Sequence, residues 1–92
     1  MRIKVKLLKP FSDIAGKDEM DLDFEGENIQ NALDGLCELY PNLRKELFNE
    51  KGDVDFNINI FINDKPMTAE DDTTTNLSEG DILLIFMPVA GG

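Results

Sequence analysis

The chain has 92 residues, one cysteine, no histidine and a net charge of −10, from 19 acidic and 9 basic side chains. A chain of this length builds one core with little room for an enclosed active site. The lone Cys37 excludes an intramolecular disulfide and any zinc or iron–sulfur cage made from cysteines, the missing histidine removes the usual acid–base group near neutral pH, and the acidic surface opposes nucleic-acid binding while favouring attraction of a basic protein partner.

The first predicted strand is Arg2 to Leu8, with Ile3, Val5 and Leu7 on one face and Lys4 and Lys6 on the other. Its charged alternation is not a signal peptide. No apolar run is long enough to span a bilayer, so a cytoplasmic protein without membrane attachment is expected. Pro10 to Lys17 reads as a loop, with Phe11 and Ile14 tucked inward and a turn at Gly16. A second strand runs from Met20 to Phe24. Pairing positions that sum to 27 sets Ile3 against Phe24, Val5 against Leu22 and Leu7 against Met20, with Lys4 beside Asp23 and Lys6 beside Asp21.

A helix is predicted over about Ile29 to Tyr40. Ile29, Ala32, Leu33, Leu36, Cys37 and Tyr40 form one apolar stripe, Asn28 serves as N-cap, and Pro41 ends it. Leu43, Leu47 and Phe48 imply one more helical turn or a packed loop. After a turn at Asn49 to Asp53, a third strand spans Phe56 to Ile62 with Ile58, Ile60 and Ile62 on one face. Asn63 and Asp64 form a tight turn, and Pro66 opens a short strand suited to a sheet edge, where its missing donor is harmless. Ala69 to Asn76 is a polar connection, Leu77-Ser78-Glu79-Gly80-Asp81 a turn, and Ile82 to Phe86 the last strand. The order predicts an α+β fold of two layers, a mixed sheet covered on one face by one main helix. Residues 1–86 form the domain and residues 87–92 an extended, flexible tail.

The chain ends on Gly91-Gly92, six residues past the last strand. At about 7% glycine usage, such a pair ends roughly 0.5% of chains by chance. A terminal carboxylate is a poor electrophile until a partner activates it. Two glycines lack Cβ atoms and can pass through a narrow channel, while Pro88 limits the freedom of the tail root.

The element order, the Leu77-Ser78-Glu79-Gly80-Asp81 turn, Asn63 in the hairpin, and the closing Phe86-Met87-Pro88-Val89-Ala90-Gly91-Gly92 resemble the ubiquitin-like sulfur carriers, most nearly the small subunit of molybdopterin synthase. Members of that family often have Pro-Pro where this chain has Met87-Pro88. The resemblance implies a ubiquitin-like β-grasp and a non-catalytic carrier with no bound cofactor or metal. An E1-like adenylyltransferase would use ATP to adenylate Gly92, with Gly91 giving access. Sulfur would then replace the adenylate, and the thiocarboxylate would donate it in molybdopterin biosynthesis within the large synthase subunit. Other uses of the same ending are conjugation to lysines of other proteins, or sulfur supply for thiamine or amino-acid synthesis. A plain interaction domain would be indifferent to loss of Gly92.

The last strand is apolar on both faces, but one helical layer covers only one of them. Leu83 and Ile85 are expected inward, and Leu84 and Phe86 outward with Leu8. Together with Pro88 and Val89 these form the expected partner-binding surface. The outward parity leans on the resemblance. Cys37 is expected to be an inert core thiol rather than a persulfide site. Glu70-Asp71-Asp72 and Asp21/Asp23 are expected to be solvated rather than metal ligands or catalytic acids.

Overall fold

The computed structural model describes residues 1–55, 57–67 and 72–88. Five strands form one sheet in the order β2-β1-β5-β3-β4. They are β1 (Arg2–Leu7), β2 (Glu19–Asp23), β3 (Asn59–Ile62), β4 (Lys65–Pro66) and β5 (Ile82–Phe86). The helices are α1 (Phe11–Ala15), α2 (Ile29–Leu39) and α3 (Arg44–Leu47), the last entered through a 3-10 turn at Pro41–Leu43. β1 and β5 are parallel at the centre, and the remaining pairs are antiparallel. This is the mixed sheet with one main helix that the element order predicts.

The hairpin register differs from the predicted one by two residues. The observed pairs are Arg2 with Asp23, Ile3 with Leu22, Lys4 with Asp21, Val5 with Met20 and Lys6 with Glu19. A two-residue slip leaves every side chain on its face, so apolar alternation accepts either register. Backbone bonds at the chain start favour the observed one. The Met1 ammonium donates to the Phe24 carbonyl at 2.8 Å, and the Phe24 N–H returns a bond to Met1 O at 3.0 Å. This register also sets all three β1 cations opposite the three β2 acids, and both Arg2–Asp23 (3.3 Å) and Lys4–Glu19 (3.1 Å) close as ion pairs.

The predicted loop after β1 contains a helix, α1. Phe11 is buried at its start, and Gly16 closes it in the left-handed region at φ 77°. Five residues are too few for a helical period to be visible. α2 has the predicted cap. Asn28 Oδ1 accepts from the Asn31 N–H at 2.8 Å, and Asn31 Oδ1 accepts from the Asn28 N–H at 3.3 Å. Ile29, Ala32, Leu33, Leu36 and Cys37 face the sheet and are buried. β3 begins at Asn59 rather than Phe56, which lies outside the described residues.

The core lies between α2 and the inner sheet face. Ile3, Val5 and Leu7 of β1 meet Leu83 and Ile85 of β5 there, and Leu43 and Leu47 belong to the same buried cluster. No helix among the described residues is long and apolar enough to cross a membrane.

Candidate functional site

β5 positions the tail. Its side chains alternate in burial, with Leu83 and Ile85 fully buried and Ile82, Leu84 and Phe86 partly exposed on the outer face. Phe86 is the last residue of the strand. Met87 packs partly against the core, and Pro88 is exposed. Val89, Gly91 and Gly92 lie outside the described residues.

Leu8 continues the β1–β5 ladder by one residue, donating its N–H to the Ile85 carbonyl at 3.1 Å. The parallel register sets Lys6 against Leu84 and Leu7 against Ile85. Leu8 therefore stands beside Phe86, and it is 51% exposed. Leu84, Phe86 and Leu8 thus share the outer face, at the root of the tail.

The sequence reading missed Phe61. It pairs with Leu84 across the β3–β5 ladder, and its ring lies 5.5 Å from that of Phe86, tilted by 56°. Such a tilted pair is a favourable aromatic geometry. The signal was present in the strand alternation: with Ile60 and Ile62 inward, Phe61 must point outward. Pro66, opposite Phe61 on β4, ends the row at the sheet edge. An aromatic and aliphatic strip from Leu8 to Phe61 therefore flanks the tail root on the side the helices do not cover.

The other candidate groups are inert in this geometry. Cys37 is buried among apolar neighbours. That desolvation pushes its thiol pKa up, against a smaller lowering by the Arg44 charge. The Asp72 carboxylate accepts from the Thr74 hydroxyl and from its N–H at 2.8 Å, and these bonds lower its pKa. It therefore serves a local turn; Glu70 and Asp71 lie outside the described residues. Asp23 is paired with Arg2. Among the described residues, no three Cys, Asp or Glu side chains gather as a metal cluster would. A concavity of about 830 Å³ opens between β2 and α2 around Phe24, Gly35 and Leu39 and includes no β5 residue.

The sequence profile of the ThiS family matches residues 5–92, a span that includes the whole tail. Small archaeal modifier protein 1 of Haloferax volcanii is 30% identical over 88 residues, covering 95% of this chain and 97% of that protein. Its crystal structure superposes with a TM-score of 0.87 at 27% identity, covering 100% of both chains. The solution structure of the Methanosarcina acetivorans protein of the same name gives a TM-score of 0.82 at 32% identity, covering 99% of this chain and 96% of that one. A putative molybdopterin converting factor subunit 1 from Pyrococcus furiosus matches at 0.75 and 23% identity over 97% and 99% of the two chains, a likeness of fold. The fold is the ubiquitin-like β-grasp, and the chain belongs to the ThiS family of ubiquitin-like, non-catalytic carrier and modifier proteins.

Proposed function

We propose that Gly92 is the working residue: an E1-like enzyme adenylates its carboxylate with ATP, sulfur replaces the adenylate, and the thiocarboxylate donates sulfur in molybdopterin biosynthesis in the cytoplasm. The observation that supports this reading is the family match running through Gly91-Gly92, six residues past a strand whose outer face is an apolar strip. Activation turns a resonance-stabilised carboxylate into an acyl-adenylate with release of pyrophosphate; sulfide-level sulfur from a sulfur donor then attacks the acyl carbon, and AMP departs with the electron pair of the broken C–O bond. The thiocarboxylate then holds sulfur as a nucleophile at the end of a slim arm. The activating enzyme and the large synthase subunit would dock in turn on Leu8, Leu84, Phe86 and Phe61, with Pro88 and Val89 as further contacts to the partner. Docking there fixes where the tail points, so contacts remote from Gly92 position it for reaction.

A second use of the same activated terminus, conjugation to lysines of other proteins, is supported by the 30% identity to a protein named as a modifier. Both uses require the same first step. Intact mass after co-expression with the activating enzyme of the same genome tests it: the carrier should gain the difference between sulfur and oxygen at its C-terminus. A mass unchanged in the presence of active enzyme and a sulfur source would overturn the sulfur-carrier reading. Conjugates of higher mass in the native host, lost on deletion of Gly92, would assign the modifier use.

A further inference from the structure

The outer sheet face is striped by charge. Its far edge is the β2 row of Glu19, Asp21 and Asp23, all exposed. The next row, on β1, carries Arg2, Lys4 and Lys6 and ends on Leu8. Beyond it lies the apolar strip of Leu84, Phe86 and Phe61. Two of the three β1 cations are neutralised within the chain, Arg2 by Asp23 at 3.3 Å and Lys4 by Glu19 at 3.1 Å. Glu19 is the residue opposite Lys6 in the ladder, yet its carboxylate turns to Lys4. Lys6 is exposed and has no ion pair among the described residues. It stands directly beside Leu84, one position before Leu7 and two before Leu8.

From this arrangement we propose that the protein partner seated on the tail-root strip presents a carboxylate to Lys6, so that its contact surface is apolar with an acidic margin. The proposal rests on the docking reading above and specifies the chemistry of the partner. It reverses what the net charge of −10 implies, because the cation row, and not the acidic surplus, borders the strip. An ammonium at the edge of an apolar contact loses part of its hydration when the partner closes over it, and a carboxylate opposite restores a charge-assisted bond. A basic residue at that point would face Lys6 with like charge and suppress binding.

The test measures binding of the activating enzyme encoded in the same genome to the full chain by calorimetry, for Lys6→Glu, Lys6→Gln, Lys45→Glu and Phe86→Ala. Lys45 is exposed on α3, in the helical layer, so Lys45→Glu makes the same change in net charge away from the strip. Lys6→Glu should weaken binding about tenfold or more relative to Lys45→Glu, because it sets two carboxylates face to face. Lys6→Gln should fall between Lys6→Glu and the parent. A melt of each variant checks folding, and Lys6→Gln serves if Lys6→Glu is destabilised by Glu19 beside it. Replacing the facing acid of the enzyme by lysine should restore affinity for Lys6→Glu. Binding of Lys6→Glu equal to that of Lys45→Glu, or tighter than the parent, overturns the proposal. If that happens while Phe86→Ala still weakens binding, only the assignment of the acid fails. If Phe86→Ala is also without effect, the docking strip itself is wrong.

Discussion

The side chain of Asn63 joins the β3–β4 hairpin turn to Asp81 at the foot of β5, 18 residues away, by donating its amide Nδ2 to Asp81 Oδ1 at 2.9 Å. Its Oδ1 accepts from the Ile82 N–H at 2.9 Å, and the second Asp81 oxygen accepts from the Ser78 N–H at 2.8 Å. Asn63 and the Leu77–Asp81 turn, separate marks of resemblance in the sequence, are thus one structure. It fixes the start of the strand that delivers the tail. Asn63 also has φ 51°, a region that asparagine tolerates better than most residues.

Asn63→Ala should therefore cost about 1–3 kcal/mol, from two lost hydrogen bonds and a strained backbone. Asn63→Gly removes the same bonds but accepts the positive φ, so it should cost less. Urea melts of the pair measure both contributions. Parent-like stability of Asn63→Ala would show that the clamp contributes nothing.

The helix stripe makes a second stability prediction. Leu33 and Leu36 are fully buried at the centre of α2, and either change to alanine should cost about 2–5 kcal/mol. Lys4, half-exposed in its pair with Glu19, should cost under about 1 kcal/mol when changed to alanine. Similar midpoints for the three variants in denaturant would mean that the two sheet faces are misassigned.

What was legible in the sequence follows from how strongly alternation constrains each element. The faces of β1 and the α2 stripe are read from their residues alone, because a one-residue error would put Ile3, Val5 and Leu7, or the helix leucines, in water. The hairpin register is not, because a two-residue slip keeps Val5 and Leu22 inside. The deciding bonds belong to the backbone of Met1 and Phe24. α1 is hidden because it is only five residues long. At the site, the inner face of β3 was read from its isoleucines, while Phe61 between them passed unnoticed. Its importance appears only when the β3–β5 ladder sets it next to Leu84. The outward parity of Leu84 and Phe86 came from family resemblance, since an all-apolar strand does not declare its faces.

Cys37 supplies a pH prediction. Its thiol pKa is raised in the folded chain by burial, so the folded state holds its proton more tightly than the unfolded state. The stability associated with this thiol is complete below the unfolded value of about 8.5 and declines as pH rises through the window between that value and the folded one. The stability advantage of the parent over Cys37→Ala should shrink between pH 7 and pH 9.5. A disulfide reagent should label Cys37 slowly in the native protein and rapidly in denaturant. Rapid native labelling at pH 7.5 would contradict the buried, inert thiol and reopen a persulfide role.

Tail length is tested by deleting Gly92 or adding one residue after it. Either change moves the reacting carbon by about 3.3 Å, in a reaction that tolerates misplacement of about 1 Å. Both variants should melt like the parent, since the tail follows the last strand and its packing at Phe86 is untouched. Adenylation, read as pyrophosphate exchange with the activating enzyme, should fall at least about 100-fold. Exchange at the parent rate in either variant would remove Gly92 from the mechanism.

The pairing of Phe61 with Phe86 separates docking from folding. Both rings are partly exposed, so neither truncation should reach the roughly 3–5 kcal/mol expected of a fully buried phenylalanine such as Phe11. Their tilted contact at 5.5 Å should appear in a double-mutant cycle as a coupling of about 0.5–1.5 kcal/mol in stability. For docking, an aromatic anchor beside the tail root often contributes about 2 kcal/mol or more, so Phe86→Ala should weaken binding of the activating enzyme roughly 30-fold. Phe61→Ala should weaken it less, because Phe61 lies one strand farther from the tail and also acts by holding the Phe86 ring. The order of effects is therefore Phe86 above Phe61 in binding, with both far below Phe11 in stability. Calorimetric titration and thermal melting of the parent, the three single alanine variants and the Phe61→Ala/Phe86→Ala double variant give all the values needed. A melting loss for Phe86→Ala as large as for Phe11→Ala, with affinity unchanged in the folded fraction, would place Phe86 in the core and remove the strip as a docking surface.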